Sequence, residues 1–106
     1  MRLYCSGPMT SYPLLNFPAF NEAEKKLLAA GFEVVNPARL GEHASWDWAD
    51  YIKRDLVEMF TCDGIATLDR WVDSRGAWLE VSTARSLGMS VRPVDEWIAP
   101  RLDEAA

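Results

Sequence analysis

A short apolar run followed by a helical repeat occurs three times between Arg2 and Gly88, and that alternation leaves few folds open to the chain. Arg2-Leu3-Tyr4-Cys5-Ser6 reads as a strand that stops at Gly7-Pro8, where glycine permits close backbone approach and proline fixes its own φ. Asn16 stands where a first helix would be capped. Pro18 lies in its first turn, and Phe17, Phe20, Ala23, Leu27 and Leu28 recur at helical spacing up to Gly31. Phe32 to Val35 reads as a second strand, stopped by Asn36-Pro37, and Ala38 to Ser45 as a loop. A second helix is expected from Trp46 to Cys62, with Trp48, Ile52, Leu56, Met59 and Phe60 on its buried side. Asp63 to Leu68 reads as the third strand, and Ser74 as the N-cap of a third helix that Gly88 ends. Met89-Ser90-Val91 then makes a short fourth strand, before Val94 to Trp97 and an acidic tail.

Apolar strands joined by helices pair in parallel through right-handed crossovers. The expected fold is therefore α/β, a flavodoxin-like three-layer sandwich whose four parallel strands run in order 2-1-3-4. Its ligand crevice lies outside the carboxyl ends of strands one and three, where the winding direction reverses. The Gly7 to Ser11 loop and the Asp69 to Ser74 loop would meet there. Gly7-Pro8-Met9 lacks both the repeated glycines of a dinucleotide fingerprint and the Gly-Lys-Ser/Thr of a nucleoside-triphosphate loop. With no Gly/Ser-rich or Pro-rich linker, residues 1–106 are expected to form one domain.

Two acids interrupt the apolar stripes of these helices. At about 100° per residue, Glu80 points between Ala84 and Leu87 and close to Ala77. Asp55 falls within about 20° of Trp48 and about 40° of Met59, whereas Asp50, Lys53, Arg54 and Glu58 point away. A buried carboxylate is costly unless it is paired or protonated, so two in one small core suggest a shared catalytic or ligand site. The alternatives are that each is a satisfied buried polar group, or that Glu80 reaches solvent from the margin of the apolar arc. His43, the only histidine, has no acid, Cys or Ser at a telling spacing and reads as a loop residue.

Eleven basic residues against sixteen acidic ones, with no long Lys/Arg cluster, argue against a nucleic-acid polymer as partner, although a single nucleotide fits. Five Trp, four Phe and three Tyr are a heavy aromatic load for so small a surface, which points to a homo-oligomer covering some of them. Cys5 and Cys62 have neither disulfide-framework nor metal-ligand spacing, and the N-terminus has no signal-like pattern, so a reducing cytoplasm is expected. No apolar run approaches the roughly 20 residues that span a membrane.

Four stretches together resemble a known family: Leu3-Tyr4-Cys5-Ser6-Gly7-Pro8-Met9, Asn16-Phe17-Pro18-Ala19-Phe20, Arg54-Asp55-Leu56, and Ser74 to Glu80. Over nearly its whole length the chain is similar to the nucleoside 2-deoxyribosyltransferases and the related 2'-deoxynucleoside 5'-monophosphate N-glycosidases, in particular to their small phage-associated relatives. The resemblance implies that Glu80 attacks C1' of a deoxyribosyl group to form a covalent glycosyl-enzyme, from which water or a second nucleobase takes the sugar. It implies that Asp55 assists departure of the base and that Tyr4 holds the nucleophile or sugar. Substrate contacts would come from Gly7, Pro8, Met9, Ser74, Arg75 and Gly76, with no metal or cofactor. Ser74 stands where the transferases carry Asp and the monophosphate hydrolases carry Ser, so Ser74 with Arg75 points to a 5'-monophosphate ligand. The competing expectation is a non-catalytic nucleotide-binding or protein-interaction domain on the same fold.

Overall fold

The computed structural model describes residues 1–99, and the acidic tail expected over 100–106 lies outside them. Four strands, β1 (Arg2–Ser6), β2 (Glu33–Val35), β3 (Gly64–Thr67) and β4 (Ser90–Pro93), pair in parallel in the order β2-β1-β3-β4. Helices α1 (Phe17–Ala29), α2 (Trp48–Met59) and α3 (Arg75–Ser86) form the crossovers, and α4 (Val94–Ile98) follows β4. This is the flavodoxin-like order that the alternation predicts.

Side-chain alternation along β1 divides the core into two layers. Leu3 and Cys5 face Phe20, Ala23 and Leu27 of α1 and Val94 and Trp97 of α4. Tyr4 takes the opposite face, with Val35 and Ile65 of the neighbouring strands, Met59 of α2, and Val81 and Ala84 of α3. Because α2 and α3 cover the same face, acids on their inner sides can approach each other and the even-numbered residues of β1.

Several boundaries differ from those expected. Helix α2 starts two residues later, since Asp47 accepts the Asp50 N–H while the Asp50 carboxylate accepts the Asp47 N–H, a reciprocal capping box. Trp46 is thereby left outside the helix, where it stacks on His43. Asn16 makes no side-chain cap on α1. It sits at φ 60°, and its amide donates instead to the Pro8 carbonyl, 2.8 Å away, which ties the loop after β1 to the start of the helix. Leu28, Phe60 and Leu87 are exposed rather than buried. Leu28 lies about 100° round the helix from buried Leu27, and the other two occupy C-terminal caps beyond the last core-facing turn. The short helix α4 was not anticipated. Its Trp97 indole N–H donates to the Ile65 carbonyl at 2.8 Å, and its ring lies so close to Gly64 that a Cβ there would stand 3.0 Å away.

Candidate active site

Glu80 lies in the second turn of α3 and is 4% exposed. Its carboxylate reaches β1, where the Tyr4 hydroxyl donates to Oε2 at 2.6 Å and the Ser6 hydroxyl donates to Oε1 at 2.7 Å. Tyr4 and Ser6 can both do this because residues two apart on a strand share a face. The acid is thus inward-facing, and the alternative that it reaches solvent is excluded. Burial pushes the Glu80 carboxyl up to about 7; the Tyr4 and Ser6 hydrogen bonds oppose the rise and the Asp55 charge adds to it. Tyr4 is itself raised well above its ordinary range, first by burial and then by the charges of Glu80 and Asp55.

Asp55 projects from α2 on the same side of the sheet. Burial raises its carboxyl to about 6 against the pull of Arg54, which donates to Oδ1 through Nε and Nη2 at 3.2 Å each. Tyr4 and Glu80 are thus joined over β1, and Asp55 stands near enough for its charge to raise both of them. Ser6 belongs with them and was missed by sequence reasoning, which named only Tyr4 as a group holding the nucleophile. A search for hydroxyls two residues from Tyr4 would have found it.

A third acid tempers the rule that led here. Glu24 of α1 lies only about 40° round the helix from Phe20 and is buried too, but the guanidinium of Arg39 holds it from the turn after β2. The same helical-wheel test would have flagged it, but it lies on the α1 side of the sheet, beside Cys5 and away from the Tyr4–Glu80 layer. Among the described residues no buried side-chain nitrogen or oxygen lacks a hydrogen-bond partner.

The loops after β1 and β3 lie side by side, as the strand order requires: the Leu68 N–H donates to the Ser6 carbonyl at 2.9 Å. A Cβ on Gly7 would stand 2.7 Å from that of Leu68, so glycine is needed for this approach. Pro8 is buried and Met9 packs against the α1 side of the core. Ser74 caps α3 by accepting the Ala77 N–H at 3.2 Å. Gly76 lets α3 approach α2, since a Cβ there would stand 2.9 Å from Ile52 Cδ1. The Arg75 guanidinium lies 3.7 Å from the centre of the Trp48 ring. Ser74 and Arg75 line an open groove of about 720 Å³ with Trp48, Val72, Trp78 and Leu79, and neither Tyr4, Asp55 nor Glu80 lines it. Of the six residues expected to contact substrate, Gly7, Pro8 and Met9 thus follow β1 at the β1–β3 crevice, Ser74 and Arg75 line the groove along α3, and Gly76 faces α2.

Among the described residues no three His, Cys, Asp or Glu side chains gather as metal ligands would, and no helix is long and apolar enough to cross a membrane. A family model described as a domain of unknown function (DUF4406) matches residues 1–92. No curated protein matches the chain.

Proposed function

The chain belongs to the DUF4406 family, whose description assigns no chemistry, and on the strength of its own side chains we propose that it cleaves or transfers the N-glycosidic bond of a 2'-deoxynucleoside or its 5'-monophosphate. The observation that carries this reading is the inward Glu80, with each oxygen held by a hydroxyl from β1 and a second acid, Asp55, near enough for its charge to raise it. In the proposed reaction a Glu80 oxygen bonds to C1' as the C1'–N bond breaks, and protonated Asp55 gives its proton to the departing base. Water, or a second base, then attacks C1' while the Asp55 carboxylate takes its proton and the Glu80 carboxylate leaves. Hydroxyl donors that position the carboxylate and favour its charged form suit a nucleophile.

Burial raises both carboxyls toward neutrality, Glu80 to about 7 and Asp55 to about 6, so molecules holding one proton between the two acids are populated there. A rate maximum close to neutrality follows.

Ser74 and Arg75, at the N-terminal end of α3, are the groups we assign to a 5'-phosphate, as the resemblance to the monophosphate N-glycosidases suggests. A homo-oligomer would cover the exposed Val72, Trp78 and Leu79 on the outer side of α3. Two free cysteines, one of them buried, suit a reducing cytoplasm. The second reading, a nucleotide-binding domain without turnover, draws on the near-complete burial of Glu80. Incubation with a panel of deoxynucleosides and their 5'-monophosphates, followed by chromatography for free base, separates the two. Base release supports the enzyme, and binding without release supports the second reading.

A further inference from the structure

Arg54 and Asp55 are consecutive in α2, and consecutive helical side chains point about 100° apart, so they do not ordinarily pair. Here Arg54 folds across the helix surface to reach Asp55, and the loop over residues 40–46 is what holds it there. Nη1 of Arg54 donates to the Gly41 carbonyl at 2.6 Å and to the Leu40 carbonyl at 3.2 Å. Its guanidinium carbon lies 5.4 Å from the ring centre of Trp46 and 5.3 Å from that of Tyr51. Tyr51 fastens the same loop, its hydroxyl accepting from the His43 N–H at 2.8 Å and donating to the His43 carbonyl at 2.9 Å. Gly41, at φ +89°, makes the turn that presents its carbonyl.

We infer that Arg54 is a positioning residue: clamped by the 40–46 loop, it supplies the counter-charge that lets Asp55 ionise between the two halves of the reaction. The inference deepens the N-glycosidase reading and rests on it for the role of Asp55. The other charged or titratable groups acting around Asp55 are Glu58 on its own helix, Glu80 on α3 and Tyr4 on β1, all of which oppose its ionisation or are opposed by it. Among the described residues Arg54 alone favours it. Without Arg54, Asp55 would hold its proton through neutrality. It could still protonate the leaving base, but it could not accept the proton of the attacking water, and the glycosyl-enzyme would persist.

The test compares the wild-type chain with Arg54→Gln and Arg54→Lys. Carbon-13 NMR of labelled aspartate carboxyls, with Asp55→Asn to assign the signal, should show the Asp55 midpoint rising by about 1–3 units in Arg54→Gln and by less in Arg54→Lys. With deoxynucleoside 5'-monophosphate, Arg54→Gln should still release base in a first turnover while a deoxyribosyl adduct builds up by intact mass. An Asp55 midpoint unmoved in both variants overturns the inference, as does equal slowing of both steps with no adduct. If the wild type releases no base from any substrate, the N-glycosidase reading is lost and the titration alone decides whether Arg54 sets the charge of Asp55.

Discussion

The Tyr4 hydroxyl donates to Oε2 of Glu80 across 2.6 Å, joining β1 to the second turn of α3 across 76 positions of sequence. Ser6 repeats the contact on Oε1 one step further along the strand. The pair lowers the cost of a carboxylate in a buried layer without removing it, which leaves Glu80 titrating near 7 instead of well below.

Loss of either hydroxyl should therefore move Glu80 further up. In Tyr4→Phe and Ser6→Ala the alkaline limb of the pH–rate profile for base release is expected at higher pH than in the wild type, with a lower maximal rate, because Glu80 already lies above Asp55. Each substitution also removes a buried hydrogen bond to a charged acceptor, a destabilisation of about 1–3 kcal/mol. A limb that stays in place while stability falls would show that the hydroxyls serve the fold alone.

Glu80→Gln should keep the fold and nucleotide binding while abolishing base release, and Glu80→Ala should do the same unless an external nucleophile rescues it. Calorimetric titration with a deoxynucleoside monophosphate, and an intact-mass search for the adduct on the wild type, check the two halves of this expectation. Unchanged base release in Glu80→Gln ends the role of Glu80 as nucleophile.

Both acids carry folded-state pKa values above their ordinary ones, from 4.5 to about 7 for Glu80 and from 3.8 to about 6 for Asp55. The folded state therefore keeps protons that the unfolded chain releases. Their contribution to stability is complete below the ordinary values and is lost as pH rises to about 7, by roughly 3 kcal/mol for Glu80 alone. Urea denaturation between about pH 4.5 and about pH 8 should show this decline in the wild type and a shallower one in Glu80→Gln. Equal slopes in the two proteins would contradict it.

Gly7→Ala should destabilise the protein by about 1–3 kcal/mol, because the new methyl meets the Cβ of Leu68 at 2.7 Å and the two loops must separate. Leu68→Ala should not rescue it, since that residue keeps its Cβ. Recovery of full stability in the double variant would place the clash elsewhere.

On the outer side of α3, Trp78 is 57% exposed beside Leu79 and Val72. Light scattering at micromolar concentration is expected to give at least twice the 12.0 kDa chain mass, and Trp78→Lys to return it to the monomer. A monomeric wild type would leave this face without the expected cover.

The sequence by itself determined the strand–helix alternation, and with it the parallel sheet and its order, because hydrophobic period and turn residues are local properties and crossover handedness leaves little further choice. It also marked Glu80 and Asp55, since a wheel position depends only on spacing within one helix. It could not distinguish Glu24 from them. That difference lies in the partner each acid meets, Arg39 for one and the hydroxyls of β1 for another, and partners distant in the chain meet only when the layers pack. Ser6, the fold-back of Arg54 under the 40–46 loop, and the opening of Ser74 and Arg75 onto a groove that Glu80 does not line were decided in the same way by tertiary structure, because each depends on which residues of different elements face one another.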